Sequence, residues 1–523
     1  MENNRENNKA ELYKTLWKIA NDLRGSVDGW DFKNYIFGFM FYRFISENLI
    51  NFWNEEEKDA NLDGEKEFNY ADLDDLAVPS NIEIESIDAK GFWIKPSELF
   101  GNVLKNVNPS NLDNLNEILV NVFRNIESSA NGKHSEDDLK GLFADMDVNS
   151  NKLGNSIAQR NKRLLEIMNA INNFKLGDYQ NNSIDVFGDA YEYLMGMYAS
   201  NAGKSGGEYF TPQEISELLT RITIIGKTKI DKVYDPAVGS GSLLLKFAKI
   251  LGTDNVGGFF GQEINITTYN LARMNMFLHN VDYHLFNIQN GDTLMEPKHL
   301  DKKPFEAIVS NPPYSINWEG DSNPTLINDS RFLPAGVLAP KSKADFAFIM
   351  HSINHLAPNG VAAIVCFPGI FYRSGAEQKI RKHLIDNNYV DAIIQLPENL
   401  FFGTSISTNI LVMKKSRIIS SVLFIDATKQ FVKVNNGNKL TQDNINFILD
   451  LIKDKKEIEN ISKKIEKEII AENNYDLSVN TYIEKEDTTE IIDIIELEKE
   501  INEIVFKNKE LRKEINELIK EIK

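Results

Sequence analysis

The chain has 523 residues, 42% of them apolar and 26% charged, with a formal net charge of −19 and a single cysteine. This length is too great for one ordinary core and predicts two or three domains, while a lone cysteine excludes a disulfide framework and a thiolate metal cluster. The acidity excludes a protein that grips nucleic acid through a basic surface spread over the whole molecule, so any such surface is local or is supplied by a partner. Cys366 sits in the apolar run VAAIVCF and reads as a core residue. The start, MENNRENNKAE, is polar throughout, and no apolar run reaches the roughly 18 residues that a membrane helix requires. The expectation is a soluble, cytoplasmic protein with no membrane partner.

Residues 1–170 read as an all-α domain. Leu12, Leu16, Ile19 and Leu23 follow helical spacing. A second run, Ile36, Phe37, Met40, Phe41, Phe44, Ile45 and Leu49, is wide-faced and aromatic, as a core helix would be. The polar stretches 54–67 and 127–138 read as loops, and Leu112–Ile126 and Ile157–Phe174 read as further amphipathic helices. Nothing catalytic stands out here, so the region is a scaffold or docking domain.

From 171 to 430 the pattern alternates between strand and helix, as in a Rossmann-like doubly wound α/β sheet. The glycine- and serine-rich segment 199–207 leads into GEYFTPQEI, where Thr211 is placed as N-cap, Pro212 in the first turn and Glu214 to close a capping box. Next, the strand Ile230–Tyr234 runs into Asp235-Pro236-Ala237-Val238-Gly239-Ser240-Gly241-Ser242 and a helix, Leu243–Leu251. Gly239 and Gly241 let the backbone approach a ligand closely. The turn lacks the third glycine of a dinucleotide fingerprint and opens with an acid, which suits a nucleoside carrying an amino acid: Asp235 can take its ammonium group. Strand Val256–Gly261 ends at Gln262-Glu263, an acid positioned for a ribose diol. The strand Tyr283–Ile288 precedes Asn290-Gly291-Asp292, an acid positioned for an adenine amino group.

Phe305 to Val309 forms a short buried strand that stops at Asn311-Pro312-Pro313-Tyr314. Two prolines fix two φ angles and remove two donors, which leaves a rigid turn presenting an amide, a free carbonyl and an aromatic ring. Asn311 Oδ1 and the Pro312 carbonyl can accept both N–H bonds of a planar amine while Tyr314 stacks on its ring. That arrangement pushes the nitrogen lone pair towards an electrophile. Further strands are placed at Val361–Phe367, Val390–Gln395, Asn409–Lys414 and Val422–Asp426, with helices at Asp345–Leu356 and Glu377–Asn387. The loop Asn317–Lys343 is long enough to have a function of its own. His351 and His355 share a helix face without a third ligand, and no metal site is expected.

Residues 431–523 read as helical, with a helix starting near Thr441. At the end, Ile494, Leu497, Ile501, Ile504, Asn508, Leu511, Ile515, Leu518 and Ile522 repeat at 3-4 spacing, the seam of a paired coil whose register the asparagine fixes. Packing back on the same chain is the alternative.

Taken together, GEYFTP, DPAVGSG, QE, GD and NPPY, in this order, resemble the S-adenosylmethionine-dependent DNA N6-adenine methyltransferases of the gamma motif order. WKIANDLRGSVDGWDFKNYIFGFMFYRFISEN and LPENLFFGTSISTNILVMKK resemble, more narrowly, the modification subunit of type I restriction–modification systems. The resemblance spans residues 10 to 485. It implies cofactor contacts at Glu208, Tyr209, Phe210, Thr211, Pro212 and Gln213, at Gly239, Ser240, Gly241 and Ser242, and at Asp235, Glu263 and Asp292. It puts catalysis at Asn311, Pro312, Pro313 and Tyr314, with Phe401 or Phe402 sandwiching a flipped adenine against Tyr314. The implied partners are double-stranded DNA, a specificity subunit bound by two modification subunits, and a restriction subunit. Two other readings stay open, a glutamine protein methyltransferase and a non-catalytic scaffold, as does a methyltransferase that reads its own site.

Overall fold

The structure, a computed structural model, describes residues 32–60, 68–107, 112–173, 185–201, 211–401, 404–434, 437–484 and 494–522. The run from Leu12 to Leu23 lies outside them, as do Glu208, Tyr209, Phe210 and Phe402.

The central element is a nine-stranded sheet. Its strands are β1 (Ile230–Asp235), β2 (Val256–Glu263), β3 (Phe286–Asn290), β4 (Phe305–Ser310), β5 (Leu356–Cys366), β6 (Val390–Gln395), β7 (Asn409–Lys414), β8 (Val422–Asp426) and β11 (Ser462–Ile465). A small hairpin, β9 (Val432–Val434) and β10 (Gly437–Lys439), stands apart. The order across the sheet is β11-β8-β6-β7-β5-β4-β1-β2-β3. From β3 to β5 all neighbours are parallel, whereas β7 runs antiparallel to both β5 and β6.

Alternation within the strands explains why both faces are covered. On β4 and β5, Ala307, Val309, Ala363 and Val365 point into one apolar layer, shared with Leu218, Leu244 and Met276 of helices Gln213–Thr223, Ser242–Leu251 and Ile266–Leu278. Ile308, Ile364 and Cys366 point into the other, shared with Ile349 and Leu384 of helices Asp345–His355 and Ala376–Asp386. Strands buried on both sides are near-continuously apolar, and β6 and β7 fall where those runs place them.

The N-terminal helices belong to the same compact unit, which extends to Ile483. Their long helix, Phe32–Ala60, continues through acidic residues expected to form a loop. Its Phe41 ring packs 5.7 Å from Phe143 and 6.0 Å from Phe277, and Phe37 packs 4.6 Å from Tyr191, so this aromatic face is core. Buried Arg273 of helix Ile266–Leu278 donates to the carbonyls of Asp137, Asp138 and Lys140 at 2.9–3.1 Å.

One C-terminal expectation changes. Thr441 does cap a helix, Gln442–Asp454, through a capping box with Asn444. But 462–465 is a strand: β11 pairs antiparallel with β8 and extends the sheet past 430. The second unit begins at Glu484, and its helix Ile494–Ile522 leaves Leu497, Ile501, Ile504, Leu511, Ile515 and Leu518 exposed along one seam.

Because Phe41 joins the helical region to the sheet unit, Phe41→Ala should destabilise both together, by about 3–5 kcal/mol for a buried ring. Denaturant melts followed by near-ultraviolet and far-ultraviolet signals should shift in step; an early melt of the N-terminal helices alone would contradict the shared core.

Candidate active site

β1 and β4 are adjacent, yet the chain leaves them towards opposite edges of the sheet, β2 and β3 on one side and β5 on the other. That is the point where an open α/β sheet leaves a crevice beyond its carboxyl ends. Asp235 ends β1 there, fully buried. Its Oδ1 accepts from the Ala237 N–H at 2.9 Å and from Ser310 Oγ, the last residue of β4, at 2.8 Å. Its Oδ2 is buried and has no hydrogen-bond partner among the described residues. The carboxyl is pushed up to about 7 by burial; the Ala237 and Ser310 hydrogen bonds oppose the rise and the Glu263 charge adds to it.

The following turn needs its glycines, since Gly239 and Gly241 take φ of +56° and +81°. The Gly239 N–H donates to Glu263 Oε2 at 3.0 Å, and Asn265 N–H donates to Oε1 at 2.9 Å, so the acid at the end of β2 is fixed. Ser240 and Ser242 face each other at 3.0 Å, and Asn275 Nδ2 donates to the Ser240 carbonyl at 2.9 Å. Asp292 Oδ1 caps its own turn, accepting from Leu294 N–H at 2.9 Å. Thr293 Oγ1 donates to the Pro236 carbonyl at 2.6 Å and ties that turn to the first. Asp235, the glycine turn, Glu263 and Asp292 therefore converge on one edge.

Asn311 and Tyr314 stand beside them. Asn311 Nδ2 donates to Thr211 Oγ1 at 3.2 Å, and the Tyr314 hydroxyl donates to Asn311 Oδ1 at 2.7 Å. Burial, reinforced by Cys366 and Asp345 nearby, holds the Tyr314 phenol well above the usual tyrosine range. The capping box at Thr211 does not form. The helix is Gln213–Thr223, Pro212 is its N-cap residue, and no side chain caps it. The Thr211 hydroxyl is engaged instead by Asn311, 100 residues away in sequence. Gln213 Nε2 is buried without a partner among the described residues.

Of the two candidate stacking phenylalanines, Phe401 is 6% exposed and belongs to the main apolar cluster. Sequence reasoning missed Ser310 and Asp345. Ser310 is the link from β4 to Asp235, and both Asp345 carboxylate oxygens accept the Ser315 N–H, at 3.2 and 3.1 Å, behind Tyr314. Gln262, named in the sequence only as part of the QE motif, is fully buried and holds Glu296 O and Lys298 N–H. The loop Asn317–Lys343 is packed: Trp318 and Phe332 enter the second apolar layer, and Arg331 donates to the carbonyls of Thr293 and Leu294 at 2.9 and 2.7 Å. His351 and His355 are buried, and His351 Nε2 lies 2.9 Å from the Tyr234 hydroxyl. No group of three or more metal-ligating side chains occurs among the described residues.

Residues 182–491 match the N-6 DNA Methylase family, and residues 12–171 match the HsdM N-terminal domain. The chain is 49% identical to the type I restriction enzyme MpnII methylase subunit of Mycoplasma pneumoniae, over 100% of this chain and 98% of that one. It is 30% identical to the MjaVIII methylase subunit of Methanocaldococcus jannaschii, over 95% and 82% of the two chains. A solved type I restriction-modification methyltransferase subunit from Streptococcus thermophilus superposes with a TM-score of 0.79 at 34% identity, over 91% of this chain and 99% of that chain.

The chain belongs to the type I restriction enzyme methylase subunits. As a methylase subunit it is an adenine-specific DNA N6-methyltransferase, and its cofactor is S-adenosylmethionine. The site fits that molecule: a buried carboxylate oxygen without a partner among the described residues could take its cationic group, and a glycine turn stands beside it for close backbone approach. Among the described residues, no helix of this methylase subunit is long and apolar enough to cross a membrane.

A buried acid raised this far stabilises the fold fully below its unfolded pKa of about 3.9, and that contribution is lost as pH rises through about 7. The melting temperature of cofactor-free Asp235→Asn, relative to wild type, should therefore climb between about pH 5 and about pH 8. A pH-independent difference would contradict a buried carboxyl that ionises in this range.

Proposed function

We propose that the methylase subunit methylates adenine N6 in duplex DNA with the Asn311–Tyr314 turn, at sites chosen by a separate specificity subunit. The reading is carried by the chain of hydrogen bonds Thr211–Asn311–Tyr314 at the end of β4, one strand away from the buried Asp235 carboxyl. In this arrangement Asn311 Nδ2 donates to Thr211, which leaves Oδ1 as its acceptor end. Oδ1 is then the group available to an amine, and in the resting site the Tyr314 hydroxyl holds it. An incoming adenine amino group takes that place at little net cost, because one hydrogen bond is exchanged for another.

An adenine within a duplex cannot reach this turn, so it is extruded, and Tyr314 recovers part of the lost stacking. Asn311 Oδ1 and the Pro312 carbonyl then accept its two N–H bonds and aim the lone pair outward. S-adenosylmethionine, when bound, would supply the methyl group from its sulfonium centre. Asp235 would pair with its ammonium group, Glu263 with its ribose and Asp292 with its adenine, while Gly239 to Ser242 and Gln213 would line its site. Burial of Phe401 leaves Phe402 as the second stacking ring.

Selection of the site is assigned to a partner because the chain is acidic, at −19. The helix Ile494–Ile522 supplies the docking seam. Val505 and Ile519 widen its apolar stripe beyond the 3-4 positions, which suits a bundle of several helices, two methylase subunits on one specificity subunit, better than a simple pair. A restriction subunit completes the assembly, which works on DNA in the cytoplasm.

The test is transfer of labelled methyl from S-adenosylmethionine to unmethylated DNA, digested to nucleosides, by the chain alone and by the chain with its specificity subunit. N6-methyladenine should form only with the partner. Asn311→Ala should abolish it while cofactor binding persists. Full activity in Asn311→Ala would overturn the catalytic assignment; label on a protein glutamine, with none on DNA, would favour the glutamine reading.

A further inference from the structure

The carboxyl edge of the sheet carries a second shaped element, the loop from Phe367 to Gly375 that follows β5. β5 pairs with β4, with Ser310 opposite Ile364, so this loop leaves the sheet beside the Asn311–Tyr314 turn. Cys366, the last residue of β5, is close enough to Tyr314 to raise its phenol. The loop is held from beneath. It opens with a short helical turn, Pro368–Phe371. Buried Arg381 donates to the Ile370 carbonyl and to the Tyr475 carbonyl, both at 2.7 Å, and Leu477 N–H donates to the Phe371 carbonyl at 2.9 Å.

On this fixed base Tyr372 is exposed and Arg373 is partly exposed, its side chain 22% accessible. Tyr372 is 59% exposed, an uncommon position for a large ring on a rigid loop beside an active site. Arg373 lies over the Phe367 ring, 5.2 Å from its centroid. Its guanidinium fills the space that a side chain at position 369 would need, since a Cβ on Gly369 would come within 2.5 Å of it. One ion pair, to Glu377 at 3.5 Å, leaves most of its donors for other partners. Lys343 joins it: both cations act on Asp345, drawing its carboxyl down against the rise that burial imposes. Asp345 is the residue that holds Ser315, next to Tyr314. An exposed ring and two cations thus flank the adenine turn in a chain of strong net negative charge.

We propose that Arg373 and Lys343 contact the target-strand phosphates that flank the extruded adenine, and that Tyr372 stacks on the base beside the gap it leaves. The proposal rests on reading Asn311–Tyr314 as the adenine site. Extrusion pulls the flanking phosphates to the rim of the pocket and exposes the face of the neighbouring base, which an aromatic side chain can cover whatever the sequence. The surface gives an acidic subunit two cations, facing the carboxylates of Asp345 and Glu377, for phosphates to share where the strand is bent into the site.

The test uses the full chain assembled with its specificity subunit and a duplex bearing its site. Arg373→Gln should weaken binding several-fold and flatten the slope of log affinity against log salt by about 0.9, the effect of one lost phosphate contact. Tyr372→Ala should raise KM for DNA about tenfold, the range of one lost base stack, with S-adenosylmethionine affinity unchanged. If Arg373→Gln lowers the melting temperature, Arg373→Lys decides: a restored salt slope supports the phosphate contact, and a slope still flattened assigns Arg373 to the fold alone. Unchanged slope and KM in both variants, with wild type still making N6-methyladenine, would overturn the surface and leave the adenine site standing. Absence of N6-methyladenine from the wild-type complex would instead remove the reading on which the surface rests.

Discussion

The site depends on one buried carboxyl. Asp235 closes β1 where the sheet reverses its winding, and a single oxygen of it is shared between the glycine turn, through Ala237, and β4, through Ser310. Its second oxygen has no partner among the described residues. Burying an acid this way raises its pKa and costs stability whenever it ionises, a cost that a ligand cation paired with the second oxygen would offset. The surrounding elements keep that carboxyl dry and aligned: apolar layers on both faces of the sheet, the helix after the glycine turn, and the N-terminal helices packed against Ile266–Leu278.

Alignment extends along the edge by short links. Thr293 ties the Asp292 turn to Pro236, Gly239 ties the glycine turn to Glu263, and Thr211 orients Asn311. Each joins segments distant in the chain, so the glycine turn and the Asn311–Tyr314 turn, the proposed cofactor and amine halves of the site, are positioned by the same scaffold. Alignment of the reacting atoms is where a methyl transfer without a metal gains most of its acceleration.

These links also mark the limit of what the sequence makes legible. Strands buried on both faces announce themselves, and β6, β7 and β8 lie where their apolar runs place them. The motifs are legible for the same reason, since DPAVGSG and NPPY are local strings whose conformations their prolines and glycines dictate. Direction is not encoded in periodicity, so nothing in NILVMK shows that β7 runs antiparallel. β11 is an edge strand, SKKI, too short and too polar to stand out from the helical pattern around it. The capping box at Thr211 failed because a hydroxyl that suits a local N–H was claimed by Asn311 from 100 residues away. Ser310 carried no signal of its own; its role exists only because β1 and β4 are neighbours.

The measurement closest to the central claim is the proton balance of cofactor binding, by calorimetry at about pH 6 in buffers of different ionisation enthalpy. With Asp235 raised to about 7, most of the free protein carries a proton there, and pairing with the cofactor ammonium must expel it. The account predicts release of close to one proton per S-adenosylmethionine bound in the wild type and none in Asp235→Asn. Binding without proton release in the wild type would mean that this carboxyl is already charged, or is not the group that receives the cofactor.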